Sequence, residues 1–151
     1  MARRYGYCHF STLWDLEYGT GEDVGVAVKS WDFEDDGQTV VFELYDNIYD
    51  YDGNNYTMDD LVWYVDYYTG PVGKKLSNIL GVEKIDTYKG KINMKLKYYP
   101  GYLAASVSFN VFTRAAYEAA GDEGFRTYAV GTGRYTKRGA STSLAATICM
   151  F

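Results

Sequence analysis

The chain has 151 residues, enough for about one domain with a single core, and 47% of them are hydrophobic. Its formal net charge is −5 and its sequence pI is about 4.8, so a surface that follows nucleic-acid phosphates is not expected. No apolar run approaches the ~20 residues that a membrane helix needs. Seventeen tyrosines are a surplus that suits half-buried strands and the walls of binding clefts.

The residues nearest the termini show no pattern of a functional site. Cys8 and Cys149 lie near opposite ends of the chain, in numbers and spacing that suit neither a disulfide framework nor zinc. His9, the lone histidine, follows Cys8 without a matching acid motif, which favours a structural or incidental role over a Cys–His nucleophile. The first ten residues start with charge but have no apolar stretch after it, so no export signal is predicted.

The first clear element is a β-hairpin, predicted between residues 26 and 45. Val40, Phe42 and Leu44 share one face of its second strand. The turn at residues 34–37 ends in an Asp-Gly pair, which supplies the positive φ that such a turn needs. The acidic side chains of this turn are therefore expected to lie in solvent.

A helix is predicted after a second Asp-Gly turn at residues 52–53. Thr57 provides a hydroxyl cap and Asp60 a carboxylate three residues later, the pattern of a capping box. An apolar stripe then recurs at i, i+3, i+4 and i+7: Leu61, Tyr64, Val65 and Tyr68. Such a stripe is far more typical of a core face than of a cofactor site, and Gly70-Pro71 ends the helix.

Two further strands are predicted at residues 82–87 and 91–99, with a turn at Lys89-Gly90 between them. In the second strand, Ile92, Met94 and Leu96 alternate with polar side chains, so these three are expected to face the core. Pro100-Gly101 ends this strand.

The remaining legible elements follow in the last third of the chain. Residues 102–109 are apolar and suit either a short helix or a strand. A helix is predicted over residues 113–121, with a cap at its start and Gly121 at its end. Strands and helices thus mix in an α+β order, and no element is legible beyond Tyr135.

A calcium loop is one reading of the second Asp-Gly turn, because Asp50, Asp52 and Asn54 occupy positions one, three and five of such a loop. However, Asn55 stands where the loop needs glycine, and Leu61 where it needs a bidentate glutamate. The pattern therefore disfavours calcium, and no metal or cofactor is predicted.

A second hypothesis is that the first turn supplies a pair of carboxylates for hydrolysis. Its candidates are Asp32, Glu34, Asp35 and Asp36. An exposed turn has no apolar pocket to raise the pKa of a general acid, so solvated loop charge is favoured. The stretch "VGTGRY" at residues 130–135 lacks the longer glycine pattern of a phosphate site and is interpreted as a tight turn.

Four stretches occur in an order and spacing that are specific when taken together: "SWDFEDDGQTVVFELYDNIYDYDGNNYTMDDLVWYV", "INMKLKYY", "YEAAGDEGF" and "VGTGRY". Across roughly Leu13 to Tyr135 the chain resembles the extracellular solute-binding proteins of family 5, the peptide and nickel class that serves ABC importers. The resemblance implies an α+β fold with a mixed sheet, hairpins and flanking helices. Such a fold is a partial lobe of the type II periplasmic-binding-protein architecture.

The resemblance also predicts how the chain is organised. Residues 1–135 would form part of the first lobe, and residues 136–151 a divergent tail, disordered or outside the family pattern. Arg134 stands where the family usually has proline after "GTG", which would loosen the turn. Relatives begin with an exported or lipid-anchored leader and are several times longer, so a fragment with a truncated or frame-shifted end is expected.

The implied function is a non-catalytic bacterial receptor at the periplasmic or extracellular face of the membrane. It would capture a short peptide or related small solute between two lobes and deliver it to the membrane permease of an ABC importer. Phe109 and Asn110 are the predicted ligand contacts, because this stretch approaches the cleft in some relatives. The alternative places Phe109 in the core and gives Asn110 only a helix-entry role.

Three other functions stay open from the residues alone. Aromatic density could form a flat carbohydrate-binding platform. Facing acids could support glycoside hydrolysis, which would show pH-dependent turnover. A partial lobe without an opposing wall could also have no autonomous function, because a cleft needs two sides to enclose a ligand.

Overall fold

The computed structural model describes residues 10–70, 78–127 and 131–133. It confirms the α+β class, with short antiparallel strands and two longer helices in the part of the chain that is described. In chain order the elements are β1 (Ser11–Thr12), β2 (Trp14–Leu16), β3 (Asp23–Gly25), β4 (Val28–Glu34), β5 (Thr39–Leu44), α1 (Met58–Thr69), β6 (Ile79–Lys84), β7 (Lys89–Met94), β8 (Asn110–Val111) and α2 (Arg114–Thr127).

The central layer is a four-stranded sheet in the order β4-β5-β7-β6, with every neighbouring pair antiparallel. Strands β4 and β5 form the predicted hairpin, with Trp31 opposite Phe42. Two smaller sheets pair β1 with β8 and β2 with β3. Chain segments that are far apart in sequence thereby meet, since β1 and β8 are separated by nearly a hundred residues.

More residues of the first hairpin turn have a positive φ than the sequence predicted. Besides Gly37, with a φ of 84°, Asp35 and Asp36 have φ values of 51° and 56°. Aspartate tolerates this region better than most residues, because its short polar side chain bonds locally. The predicted positive φ at the Asp-Gly pair is therefore confirmed and extends one residue further.

The main core lies against one face of this sheet. Val40, Phe42 and Leu44 are each at most 1% exposed, as the alternation in β5 predicted. Trp14 is buried and meets the rings of Trp31 and Phe42 edge-on, at centroid distances of 6.4 Å and 5.3 Å. Such aromatic contacts stabilise a core beyond the area they bury.

Helix α1 begins with the predicted capping box. The Asp60 carboxylate accepts a hydrogen bond from the Thr57 amide at 2.8 Å, and the Asp60 amide donates to the Thr57 carbonyl at 3.2 Å. The second oxygen of Asp60 accepts the amide of Arg114 at 2.8 Å, which ties the start of α1 to the start of α2. Leu61 and Val65 of the predicted stripe are buried.

The predicted turn at Lys89-Gly90 is wrong, because both residues belong to β7. The chain turns earlier, where the Ile85 and Asp86 amides donate to the Lys89 carbonyl at 2.9 Å and 2.8 Å. Gly90 is buried opposite Phe42, and a Cβ there would lie 2.2 Å from the Met58 Cε atom. The glycine thus allows α1 to approach the sheet and does not make the turn.

The predicted burial of Leu96 is also wrong. Strand β7 ends at Met94, and Leu96 is 55% exposed. Pairing of β5 with β7 starts at Thr39 opposite Asn93, and the hairpin turn precedes Thr39. Beyond Met94 the chain therefore has no strand to pair with on the β5 side, and its side chains no longer alternate between core and solvent.

The apolar segment after Pro100 forms a single π-helical turn at Leu103–Val107, so the helical alternative holds. Its start is held by the buried carboxylate of Asp23, which accepts the amides of Gly101 and Ala104 at 3.0 Å and 2.8 Å. Helix α2 has the predicted cap, since Thr113 Oγ1 accepts the Ala116 amide at 3.1 Å.

The sequence predicted that this helix ends at Gly121, whereas in the structure Gly121 only interrupts α2, with a φ of 68° and a ψ of 171°. The backbone then returns to helical geometry, so α2 extends to Thr127. Because only glycine adopts a positive φ without steric cost, the break is built into the sequence at this residue.

Candidate functional site

The acidic turn of the first hairpin lies in solvent and is tied to its neighbours. Asp36 forms an ion pair with Lys97, and the hydrogen bond and charge of that lysine lower the pKa of the Asp36 carboxyl. Asp35 accepts the Thr39 hydroxyl at 2.9 Å. Asp32 bonds the adjacent Phe33 amide at 2.8 Å. These acids serve the turn, and no apolar pocket surrounds them of the kind that a general acid needs.

The second acidic loop is organised around Asp50, which is 6% exposed. One carboxylate oxygen accepts the amides of Asp52 and Asn54, each at 2.9 Å. The other accepts the Asn54 side-chain amide at 2.9 Å and the Thr113 hydroxyl. Burial raises the pKa of Asp50, but these hydrogen bonds outweigh burial and hold the pKa below its ordinary value.

Asp50 therefore acts as an anchor between the loop and the start of α2. Its oxygens are already occupied by protein donors, so the loop is stabilised without a cation. Within the described ranges, no three histidine, cysteine, aspartate or glutamate side chains converge as they would around a metal ion.

The "GTG" motif lies beside the predicted ligand contact Asn110, at an edge formed by β1, β8 and residues 131–133; we call this the β1–β8 edge. The Thr132 hydroxyl donates to the Val111 carbonyl at 2.8 Å. The Ser11 hydroxyl donates to the Thr132 carbonyl at 3.2 Å. The Tyr51 hydroxyl donates to the Gly133 carbonyl at 2.6 Å. Four distant stretches of sequence thus meet at this edge.

The two predicted site residues are adjacent in sequence but differ in environment. Asn110 is exposed, and its backbone pairs with Thr12. Phe109 is only 8% exposed, and its ring meets Tyr64 edge-on at 5.7 Å. The Asn110 side chain is exposed at the β1–β8 edge, whereas Phe109 belongs to the buried core cluster.

An open groove on the other face of the helices was missed by the sequence analysis. It lies where α1 meets α2, and its lining residues are Asp59, Val62, Trp63, Asp66, Tyr67 and Arg114. The Arg114 guanidinium carbon lies 5.8 Å from the centre of the Trp63 ring, and the arginine also pairs with Glu118 at 2.7 Å. The polar side of α1 carries aromatic residues beside acids, and this pattern could have indicated the groove.

A cluster of oxygen donors adjoins this groove. The hydroxyls of Tyr67 and Tyr117 lie 2.8 Å apart. The Tyr117 hydroxyl donates to Asp122 Oδ1, and the Tyr67 hydroxyl lies 3.4 Å from the same oxygen. Tyr117 and Asp122 are five residues apart, a spacing that helix periodicity does not bring together, so sequence patterns could not find the cluster.

Several earlier predictions fall outside the described residues. These are the roles of Cys8, His9 and Cys149, the effect of Arg134, and the divergent tail at residues 136–151. In the described part of the chain, no helix is long and apolar enough to cross a membrane.

The small antiparallel sheet and its two helices match periplasmic-binding-protein-like structures as part of one lobe. The family model for the middle region of bacterial extracellular solute-binding proteins, family 5, matches residues 24–139. The chain belongs to this family, which is one of binding proteins and not of enzymes. No curated protein sequence matches the chain.

Solved structures of similar fold include AgaA of A. tumefaciens R10 in complex with agropinic acid, with a TM-score of 0.73 and 20% identity over 93% of this chain. NikZ from Campylobacter jejuni in complex with Ni(L-His) has a TM-score of 0.68 and 22% identity over 86% of this chain. DppA from Helicobacter pylori in complex with the peptide STSA has a TM-score of 0.67 and 17% identity over 90%. The matched regions span 29%, 27% and 32% of those three chains.

Proposed function

We propose that this chain belongs to the solute-capturing component of a bacterial ABC importer and takes part in binding a short peptide or a related small solute. The observation that carries the proposal is the family match over residues 24–139. The fold supports it, because structures of similar fold hold a peptide, a nickel–histidine complex and agropinic acid. The proposed partner is the permease of the importer, and the proposed location is the periplasmic or extracellular face of the membrane.

Within this function, Asn110 is the proposed ligand contact and Phe109 its support. The Asn110 side chain is exposed beside the Thr132 hydrogen bonds of the β1–β8 edge, so its amide can both donate to and accept from a peptide backbone. Phe109 is held by Tyr64 and keeps the preceding backbone in place.

The expected affinity of the 151-residue chain by itself is weak. A ligand cleft usually covers most of the surface of a bound ligand, whereas Asn110 lies on an open edge. We therefore expect a dissociation constant of about 1 mM or weaker, too weak for useful heats in titration calorimetry.

The test is a titration of the ¹⁵N-labelled chain with the tetrapeptide Ser-Thr-Ser-Ala, followed by amide chemical shifts. Shifts are expected to concentrate at residues 110 and 131–133, and Asn110→Ala is expected to reduce them. Asn47→Ala is the matched control, since Asn47 is an exposed asparagine in a different loop. An absence of shifts up to 10 mM peptide, or shifts that Asn110→Ala leaves unchanged, would contradict the proposed contact.

A further inference from the structure

Strand β4 is an end strand of the central sheet. In the described part of the chain it pairs with β5 on one side, and no strand pairs with its other side. It is seven residues long, Val28–Glu34. A free strand edge of this length presents backbone donors and acceptors to which a second chain can add a strand.

The hydrogen bonds around β5 show which way its backbone groups point. The Tyr45 amide donates to the Ala27 carbonyl at 3.0 Å, on the β4 side. The Leu44 amide donates to the Tyr88 carbonyl at 2.7 Å, on the β7 side. Because backbone groups alternate along an antiparallel strand, odd-numbered residues of β5 direct theirs towards β4 and even-numbered residues towards β7.

The same alternation places two residues of β4 on its free edge. Asp32 pairs with Val41, an odd-numbered residue, so the backbone of Asp32 faces β5. The amides and carbonyls of its neighbours Trp31 and Phe33 therefore point away from β5. The Phe33 amide is already bonded there, because the carboxylate of Asp32 accepts it at 2.8 Å.

We propose that the Asp32 carboxylate keeps β4 from pairing with β4 of a second copy of this chain. It occupies the Phe33 amide, which an added strand would need. In the antiparallel register that pairs Trp31 of each copy with Phe33 of the other, the two copies of Asp32 also face each other. Like charges directly opposite one another destabilise a strand pair. This proposal does not rest on the proposed function.

The first half of β4 is protected by other features. The pairing with β5 shifts in register between Val28 and Ser30, so the strand is irregular there. Lys29 lies at this irregularity and pairs with Glu43 at 3.1 Å. Bulges and lysine side chains both hinder the addition of a strand to an edge. Asp32 provides the corresponding protection in the second half of β4, where the pairing is regular.

The edge around Asp32 is otherwise suited to strand pairing. Trp31 meets Trp14 edge-on at 6.4 Å, and Phe33 stacks on Tyr98 with a centroid distance of 4.2 Å and an interplanar angle of 27°. These contacts hold the backbone extended, so a second strand could add without first ordering it. Aromatic residues of this kind also favour strands.

The test compares the self-association of the 151-residue chain with that of Asp32→Val by sedimentation velocity over a range of concentrations. The valine removes both the hydrogen bond and the charge, so it should lower the dissociation constant of a dimer about tenfold or more. Amide hydrogen exchange at Trp31 and Phe33 should slow in this dimer, because both amides would then be bonded to the second copy.

Glu34→Val is the matched control, since Glu34 is an exposed acid of the same strand whose backbone faces β5. It should associate no more than the original chain. Asp32→Asn keeps an oxygen that can accept the Phe33 amide, so it should associate less than Asp32→Val. Equal association of Asp32→Val and Glu34→Val, or a dimer without slower exchange at Trp31 and Phe33, would overturn the proposal.

A second comparison applies if Asp32→Val loses the circular dichroism of the original chain. Asp32→Asn and Glu34→Gln each remove one negative charge and keep the size of the side chain. Asp32→Asn should then associate more strongly than Glu34→Gln, because only residue 32 faces its own copy in the pairing described above. Equal association of these two variants would also overturn the proposal.

Discussion

At the scale of single residues, Asp50 shows how one buried carboxylate can organise a loop. Its two oxygens accept two backbone amides, the Asn54 side chain and the Thr113 hydroxyl. The sequence predicted that Asp50 lies in a loop, and calcium binding was one hypothesis for the acidic residues of that loop. Only the tertiary structure supplies Thr113, which is more than sixty residues away and donates its hydroxyl to Asp50.

Asp50→Asn should destabilise the fold by about 1–3 kcal/mol at pH 7, because a neutral amide cannot accept all of these hydrogen bonds and brings an unpaired donor into a buried site. The free energy of unfolding in urea measures the effect. Asp52→Asn is the matched control, since Asp52 is the exposed neighbour in the same loop, and we expect a change within about 0.5 kcal/mol.

The difference in stability between the original chain and Asp50→Asn should depend on pH. The folded pKa of Asp50 lies below its ordinary value, so its contribution to stability is complete above the unfolded pKa of about 3.9 and is lost as the pH falls through the folded pKa. The stabilities of the original chain and Asp50→Asn should therefore converge only as the pH falls below about 4. Curves that stay parallel would contradict this account.

At the scale of elements, the approach of α1 to the sheet depends on a position without a side chain. Gly90 lies in β7 opposite Phe42, under the side chain of Met58. Local sequence could not reveal this role, because glycine after lysine also fits a turn. The contact is decided by where α1 lies on the sheet, which is a property of the packed elements.

Gly90→Ala should destabilise the chain by about 1–3 kcal/mol, because the added methyl would lie 2.2 Å from Met58 Cε and 2.8 Å from the Glu83 carbonyl oxygen. The methionine end can move, but the backbone oxygen cannot without disturbing the pairing of β6 with β7. The shift in the midpoint of urea unfolding, at an unchanged slope, is the measurement.

Gly81→Ala provides the comparison for this prediction. Gly81 is also a strand glycine, in β6, but a Cβ there would meet no atom within 4 Å. It should be neutral or slightly stabilising, since alanine reduces the conformational freedom of the unfolded chain. Equal losses of stability in the two variants would show that strand glycines matter here for another reason than close approach.

At the scale of the whole molecule, one buried cluster joins the sheet, α1 and the Leu103–Val107 turn. Its members include Trp14 and Phe42 near the sheet, Leu61 on α1, and Leu103 and Val107 on the π-helical turn. Because these elements share their buried contacts, none of them can lose its packing without exposing the apolar faces of the others.

Thermal unfolding of the 151-residue chain should therefore be a single cooperative transition. Far-ultraviolet circular dichroism follows the helices and the sheet, and fluorescence follows the three tryptophans together, of which Trp14 is 1% exposed in the core. The two signals should give the same midpoint. A broad transition, or two separate midpoints, would mean that the described elements do not stabilise one another as a unit.

The sequence by itself determined the features that depend on near neighbours in the chain. Alternation predicted the buried face of β5, the Thr57–Asp60 spacing predicted the start of α1, and Gly121 marked the break in α2. The order of motifs indicated the family. These signals are local, because turns, caps and periodic faces are set by residues only a few positions apart.

The tertiary structure alone decided where distant residues meet. It moved the second hairpin turn away from Gly90, exposed Leu96 beyond the end of its pairing, and gave Asp50 its partner Thr113. It also brought Tyr67, Tyr117 and Asp122 to one point. Such contacts depend on how helices and strands pack in space, and neither helical nor strand periodicity carries that information.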